Sequence, residues 1–282
     1  MNRRTFFLAG TALVGTALLP RISRAQTRWP GLRTITYNVL ACKGYPETDG
    51  NRAALQRARP QMIERMALEL ALYDPDIVTF QESLTEEKVA AIARAMGRDH
   101  TYFPGGFPGA VISRFKIVES QNCPLKQGPR PSDLFTRHWG RAVLEMNGRR
   151  LTVYSAHLHP SNAEVRAREV TAALEVMATD LAGDAPVLFQ GDLNHRPDGP
   201  EYARWKAAGL VDTCEREGGQ SEHTIPSTTP RHRIDYIWAN AALASRFSSA
   251  RVLFEGNFRT NPADERSFAL SDHLPVMADF GG

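Results

Sequence analysis

Cysteine is scarce and patternless: Cys42, Cys123 and Cys214 are far apart and odd in number. At most one disulfide can form, and no Cys-x-x-Cys or Cys/His spacing marks a zinc site. No apolar run reaches the roughly 18 to 20 residues that cross a bilayer, so no membrane span is expected. Neither an internal repeat nor a low-complexity linker divides the chain. No block of Lys or Arg marks a stripe for nucleic acid. That last absence argues against avid duplex binding without excluding a nuclease, because cutting requires only transient contact with phosphates.

What is present begins with an export signal. Residues 1–25 open with Asn2-Arg3-Arg4-Thr5-Phe6-Phe7-Leu8, continue through a mildly apolar stretch and close at Ser23-Arg24-Ala25, a small-x-small cut site. The Arg3-Arg4 pair ahead of two phenylalanines, with a Gly- and Thr-diluted middle, resembles a twin-arginine signal. The expected mature protein is therefore 26–282, periplasmic or secreted. The signal carries four of the 34 basic residues and no acid, which leaves 30 against 31 acidic residues in the mature chain. The basic pI thus says little about partners. Roughly 255 residues remain, enough for one large domain with a substantial core.

The mature chain alternates strand and helix patterns. Strands are predicted over 32–40, 76–80, 109–114, 142–146, 149–156, 187–192, 234–238, 249–254 and 274–280, and Asn147-Gly148 is a hairpin turn. Helices are predicted from Pro60 to Tyr73, over 85–96, over 162–181 and near 201–208, with a polar loop ahead of Pro60. The stretch Phe189-Gln190-Gly191-Asp192-Leu193-Asn194 organises the rest. An apolar strand that stops at Gly-Asp-x-Asn delivers an acid and an amide to the sheet edge, where open α/β sheets bind ligands. Other strands end in the same way, at Asn38, at Gln81-Glu82 and at His157-Leu158-His159-Pro160, and the last begins after Ser271-Asp272-His273.

These are the residue types that phosphate hydrolysis needs. A phosphodiester repels nucleophiles with its charge and has a poor leaving oxygen, so catalysis requires charge neutralisation, a base and an acid. Glu82, Asp272 and the amide of Asn38 suit Mg2+. Asp192 suits a base that activates or positions water. His157 and His273 suit contacts to phosphoryl oxygens or protonation of the leaving group, and Asp235 suits an acid that orients one imidazole and raises its pKa. Arg114 and Arg141 are expected to pair with neighbouring acids, and His159 to serve structure.

In their order along the chain, Asn38, Gln81-Glu82, Ser113-Arg114, His157-Leu158, Gly191-Asp192-Leu193-Asn194, Arg233-Ile234-Asp235-Tyr236-Ile237 and Ser271-Asp272-His273-Leu274-Pro275 resemble the endonuclease/exonuclease/phosphatase superfamily. The resemblance runs from about Arg33 to Phe280. It implies a four-layered α/β sandwich, two β-sheets packed face to face with helices outside. It also implies roles: Glu82 as principal metal ligand beside Asn38, with Asp272 sharing the ion; Asp192 aligning or deprotonating water; Asn194 stabilising the transition state. His273, held by Asp235, binds the scissile phosphate or acts as acid, and His157 fills the second histidine position. Which histidine donates the proton stays open. Many relatives place Thr after the first histidine, where this chain has Leu158, and the segment 104–139 matches no particular branch.

The resulting expectation is an exported Mg2+-dependent phosphoesterase, with Mn2+ as a substitute, attacking a phosphodiester with water. A lipid headgroup or small phosphodiester is the favoured substrate and nucleic acid the alternative; an inactive sandwich that binds a phosphorylated ligand is a further one. A monomer is the default.

Overall fold

Two parallel strand pairs, one in each sheet, dictate where the polar strand ends meet. In this computed structural model, which describes residues 31–218 and 222–282, β1 (Leu32–Asn38) lies parallel to β2 (Ile77–Gln81), with Asn38 opposite Gln81. Parallel neighbours need a crossover. Here it is made by α1 (Arg52–Ala58), a short 3-10 turn and α2 (Met62–Ala71), whose Met62, Met66 and Leu70 repeat every four residues and are buried. The chain continues through α3 (Glu86–Ala95), β3 (Asp99–Phe103), β4 (Gly109–Ser113) and β5 (Lys116–Asn122).

Next, β6 (His138–Met146) and β7 (Arg149–His157) form a hairpin closed by Asn147 and Gly148, both with positive φ, as a two-residue turn that matches strand twist requires. The second crossover is α4 (Ala163–Ala182). Asn162 caps it, accepting from the backbone N–H groups of Glu164 and Val165. That helix returns the chain to β8 (Val187–Asp192), parallel to β7 with Asp192 opposite His157. The remainder is α5 (Pro200–Ala207), β9 (Val211–Asp212), α6 (Thr213–Glu217), β10 (Asp235–Ala239), α7 (Ala241–Ala244), β11 (Phe247–Val252) and β12 (Val276–Phe280).

The strands assemble as two mixed six-stranded sheets, ordered β11-β12-β1-β2-β4-β3 and β5-β6-β7-β8-β10-β9. Three apolar cores separate four layers. One joins the outer face of the first sheet to α2 and α3 through Ile35, Tyr37, Phe80, Met66 and Ile92. A second lies between the sheets, around Leu32, Ile77, Val153, Leu188, Ile237 and Phe280. The third packs the second sheet on α4 and α5 through Tyr154, Phe189, Val170, Met177 and Trp205. This is the sandwich that the resemblance implied.

Differences from the predicted elements fall where packing overrides local pattern. The loop predicted ahead of Pro60 contains α1, held by buried Leu55 and Ala58 and by Asn51, whose amide donates to the carbonyls of Pro46 and Ser267. Strands β3 and β5 carry no apolar alternation. Each forms because a neighbour, β4 or β6, supplies a ladder for it at a sheet edge. Strand β6 starts at His138, four residues before the predicted start. The export signal over 1–25 lies outside the described residues.

Candidate active site

The C-terminal ends of both parallel pairs converge on one edge of the sandwich. Asn38 ends β1, Glu82 follows β2, His157 ends β7 and Asp192 ends β8. Strand β10 runs antiparallel to β8, so its first residue, Asp235, sits opposite Asp192. Strand β12 runs antiparallel to β1, which brings the preceding Ser271-Asp272-His273 to the same edge. Ser271 fixes that approach, its hydroxyl 2.7 Å from the carbonyl of Asn38.

Asp192 is the hub. Its Oδ2 accepts from Asn38 Nδ2 at 3.0 Å and its Oδ1 from the backbone N–H of Asn194 at 3.1 Å. The same Oδ2 lies 3.4 Å from His157 Nε2 and 3.8 Å from His273 Nε2. Burial, then the negative charge of Asp235, raises the Asp192 carboxyl to about 7, with His273 and the two hydrogen bonds opposing. A carboxylate whose pKa is lifted toward neutrality can take a proton from water at physiological pH.

His273 carries the complementary charge. Its Nδ1 donates to Asp235 Oδ2 at 2.9 Å. Burial disfavours the imidazolium, but Asp235 and Asp192 outweigh it and raise the ring to about 10. His157 is the opposite case. Burial, together with the neighbouring Arg137, His138 and His273, holds it well below the ordinary imidazole range, so the ring is neutral. Two histidines thus stand beside one acid in different charge states, which is how a single pocket separates a cation from a neutral contact.

Glu82 emerges from β2 with φ of +49°, a left-handed backbone that turns its side chain toward this edge. Its Oε1 lies 3.4 Å from Asn38 Nδ2 and 3.5 Å from Arg137 Nη1. Asn38 turns its amide nitrogen to both carboxylates while its oxygen accepts from Leu40 N–H at 3.2 Å. Asn194, also with positive φ, donates from Nδ2 to the Leu158 carbonyl at 3.0 Å. Asp272 is half-buried, 3.2 Å from the Ser271 hydroxyl, and its negative charge also acts on His273. Among the described residues no hydrogen bond or ion pair joins Asp272 to Glu82.

Three residues singled out in the sequence serve elsewhere. Arg114 pairs with Asp74 and Asp76, and Arg141 with Glu119 and Asp180. His159 Nδ1 accepts from Asn162 N–H at 3.0 Å and steadies the start of α4.

One residue absent from the sequence reading belongs to the site. Arg137 places Nη1 3.2 Å from His157 Nε2 as well as beside Glu82, and its guanidinium lies 4.1 Å from the centre of the Phe107 ring. The signal that would have found it was the true start of β6. An extra four residues on that strand place His138 opposite His157, and Arg137 just beyond. A cleft of about 260 Å³ is lined by Arg196, Asp198, His223, Arg231, His232 and Arg233; along the chain Arg196 is two residues from Asn194 and Arg233 two from Asp235.

Two stacked mixed sheets with acids and histidines gathered on one shared edge define the class of deoxyribonuclease-like sandwiches. Solved structures agree. An endonuclease/exonuclease/phosphatase family protein from Bacteroides thetaiotaomicron superposes with a TM-score of 0.67 at 20% identity, over 89% of this chain and 98% of that one. A mannosyl-6-phosphatase of the same organism gives 0.66 at 19% identity over 88% and 98%, and a humanized D. rerio TDP2 gives 0.62 at 23% over 89% and 99%. No curated protein sequence matches the chain. The pattern of the Endonuclease/Exonuclease/phosphatase family matches residues 35–273, and the chain belongs to that family. Its members are generally hydrolases of phosphoester bonds.

Proposed function

We propose that the protein is an exported, Mg2+-dependent phosphoesterase that hydrolyses a phosphodiester by direct attack of water on phosphorus. The observation that carries this reading is the buried Asp192, at a raised pKa, facing an imidazolium that Asp235 holds in place. Asp192 takes the proton of the attacking water as the water oxygen bonds to phosphorus and the P–O ester bond breaks, and the departing oxygen takes its proton from His273 or from solvent. His273 contributes its positive charge to the phosphoryl oxygens, and Arg137 adds a second cation beside His157. The second N–H of the Asn194 amide serves the crowded transition state.

The donor set suits a hard divalent cation. Glu82 is an accessible carboxylate, its side chain 20% exposed, and its ion-pair partner Arg137 stands at a loose 3.5 Å. Asn38 adjoins it and in turn hydrogen-bonds Asp192. The tighter group of Asp192, Asp235 and His273 has ligand atoms within 4.8 Å of one another. Within it His273 Nδ1 and Asp235 Oδ2 are already engaged with each other at 2.9 Å, which leaves Glu82 as the carboxylate freer to take a cation. Glu82 would hold the ion, Asp272 would supply a further carboxylate from the same edge, and Asn38 would join them by turning its Oδ1 away from Leu40 N–H; the ion would neutralise phosphoryl charge and polarise the ester.

A panel of phosphate esters, with and without EDTA, tests the activity. Metal-dependent hydrolysis of bis(p-nitrophenyl) phosphate is expected, with kcat lowered about 10²- to 10⁴-fold in Asp192→Asn. An inert wild-type protein under Mg2+ and Mn2+ would instead support a phosphate-binding sandwich. The basic cleft favours a second reading, a nuclease, since it suits a polyanionic substrate. Plasmid nicking abolished by Asp192→Asn would establish that one. Export is tested separately: Arg3→Lys with Arg4→Lys should leave the precursor in the cytoplasm.

A further inference from the structure

Phe107 stands on the tip of a loop, Pro104-Gly105-Gly106-Phe107-Pro108, whose shape admits no side chain along the face that meets the second sheet. A Cβ on Gly105 would lie 1.6 Å from the Arg137 carbonyl oxygen, one on Gly106 2.8 Å from that of Thr136, and one on Gly109 2.2 Å from the His138 ring. The loop is also tied down at both ends, by Gly106 N–H to Thr136 O at 2.9 Å and by Ser83 N–H to Pro108 O at 2.8 Å. A loop clamped so closely fixes the backbone from which its one aromatic ring projects.

That ring is 43% exposed, one of few large apolar side chains so open among the described residues. Arg137 covers part of it, its guanidinium 4.1 Å from the ring centre, and the His157 ring centre is 6.2 Å away, edge-on. Arg137 reaches Glu82 and His157 at the same time. The ring is therefore joined to the cluster at the sheet edge by a single side chain, with Arg137 touching Phe107, His157 and Glu82 at once.

We propose that Phe107 is the specificity platform of the site, and that the phosphate ester it accepts carries a planar aromatic group, an aryl ring or nucleobase, stacked on it. Burying a fixed, solvent-facing ring under any apolar group removes it from water. A planar partner gains more, because two rings in offset or edge contact attract beyond their buried area. Backing by Arg137 keeps the ring from turning away when the partner leaves. This inference rests on the phosphoesterase reading and narrows its substrate.

Calorimetry with phenylphosphonate, cyclohexylphosphonate and methylphosphonate in Mg2+ buffer tests it without turnover. The wild-type protein should bind phenylphosphonate about tenfold more tightly than methylphosphonate and several-fold more tightly than cyclohexylphosphonate. Phe107→Ala should bring the phenyl-to-methyl ratio down to about twofold, and Phe107→Trp should restore it. A ratio unchanged in Phe107→Ala, or equal binding of phenyl and cyclohexyl ligands by the wild type, would overturn the platform. Hydrolysis of bis(p-nitrophenyl) phosphate reports separately on the phosphoesterase reading, so either can fail alone.

Discussion

His195, one residue past Asn194, shows how strictly single protonation states are set around this edge. Its Nε2 accepts from Trp205 Nε1–H at 3.1 Å, and its Nδ1 lies 3.2 Å from the Arg196 carbonyl, so the neutral ring carries its proton on Nδ1. Burial, more than its backbone hydrogen bond can offset, lowers the ring from 6.5 to about 4. The unfolded ring keeps its ordinary pKa. Between pH 6.5 and 4 the unfolded chain therefore binds a proton that the folded chain refuses, and stability falls as pH falls, by about 3 kcal/mol at the lower end. Above pH 6.5 this group contributes no slope. Urea unfolding of His195→Gln between pH 7.5 and 4.5 should show a loss of stability smaller than the wild type's by about 2 to 3 kcal/mol. Parallel curves would contradict the assignment. Arg137 is the residue-scale lesson in the other direction: nothing about one arginine in Thr136-Arg137-His138 announces a site until its neighbours in space are known.

At the scale of elements, the site depends on how closely β7 and β8 approach. Gly191 has φ of +153°, and a Cβ there would stand 2.0 Å from the Ala156 carbonyl oxygen. Gly191→Ala therefore strains the backbone and pushes the two strands apart just where His157 faces Asp192. We expect a cost of about 3 kcal/mol in chemical denaturation, together with a fall in kcat that persists in the folded protein at low temperature. Full activity in the folded variant would show that the strand spacing does not set the catalytic geometry. Elements were read from sequence most securely where pattern and packing agree, as in β1, β2, β7, β8 and α4. Edge strands β3 and β5 were missed because their residues alone have no reason to extend. The shortened prediction for β6 removed Arg137 from view for the same cause.

Across the whole molecule, the apolar core between the sheets is supplemented by a polar stitch. Buried Gln190 on β8 accepts from Thr34 Oγ1 at 2.9 Å and donates to the Ile35 carbonyl at 3.2 Å and Thr79 Oγ1 at 3.0 Å, all on the opposite sheet. Replacing it with a near-isosteric apolar residue takes the acceptor from buried Thr34 and a donor from the Ile35 carbonyl, while Thr79 keeps Thr36 and Gln81 as partners. Gln190→Leu should cost about 2 kcal/mol, read as a fall in Tm of about 5 °C. An unchanged Tm would mean that water or repacking satisfies the interface. The sequence by itself determined the parts: which strands end in acids, amides and imidazoles, where the crossovers turn, and the family to which that order belongs, because periodicity and strand-end chemistry are local properties. Only the tertiary structure decided which histidine is charged, that Asn38 offers its nitrogen rather than its oxygen to the carboxylates, and that Arg137 and Phe107 stand at the rim. Those outcomes depend on burial and on charges brought together from opposite sheets, and no stretch of chain carries either within itself.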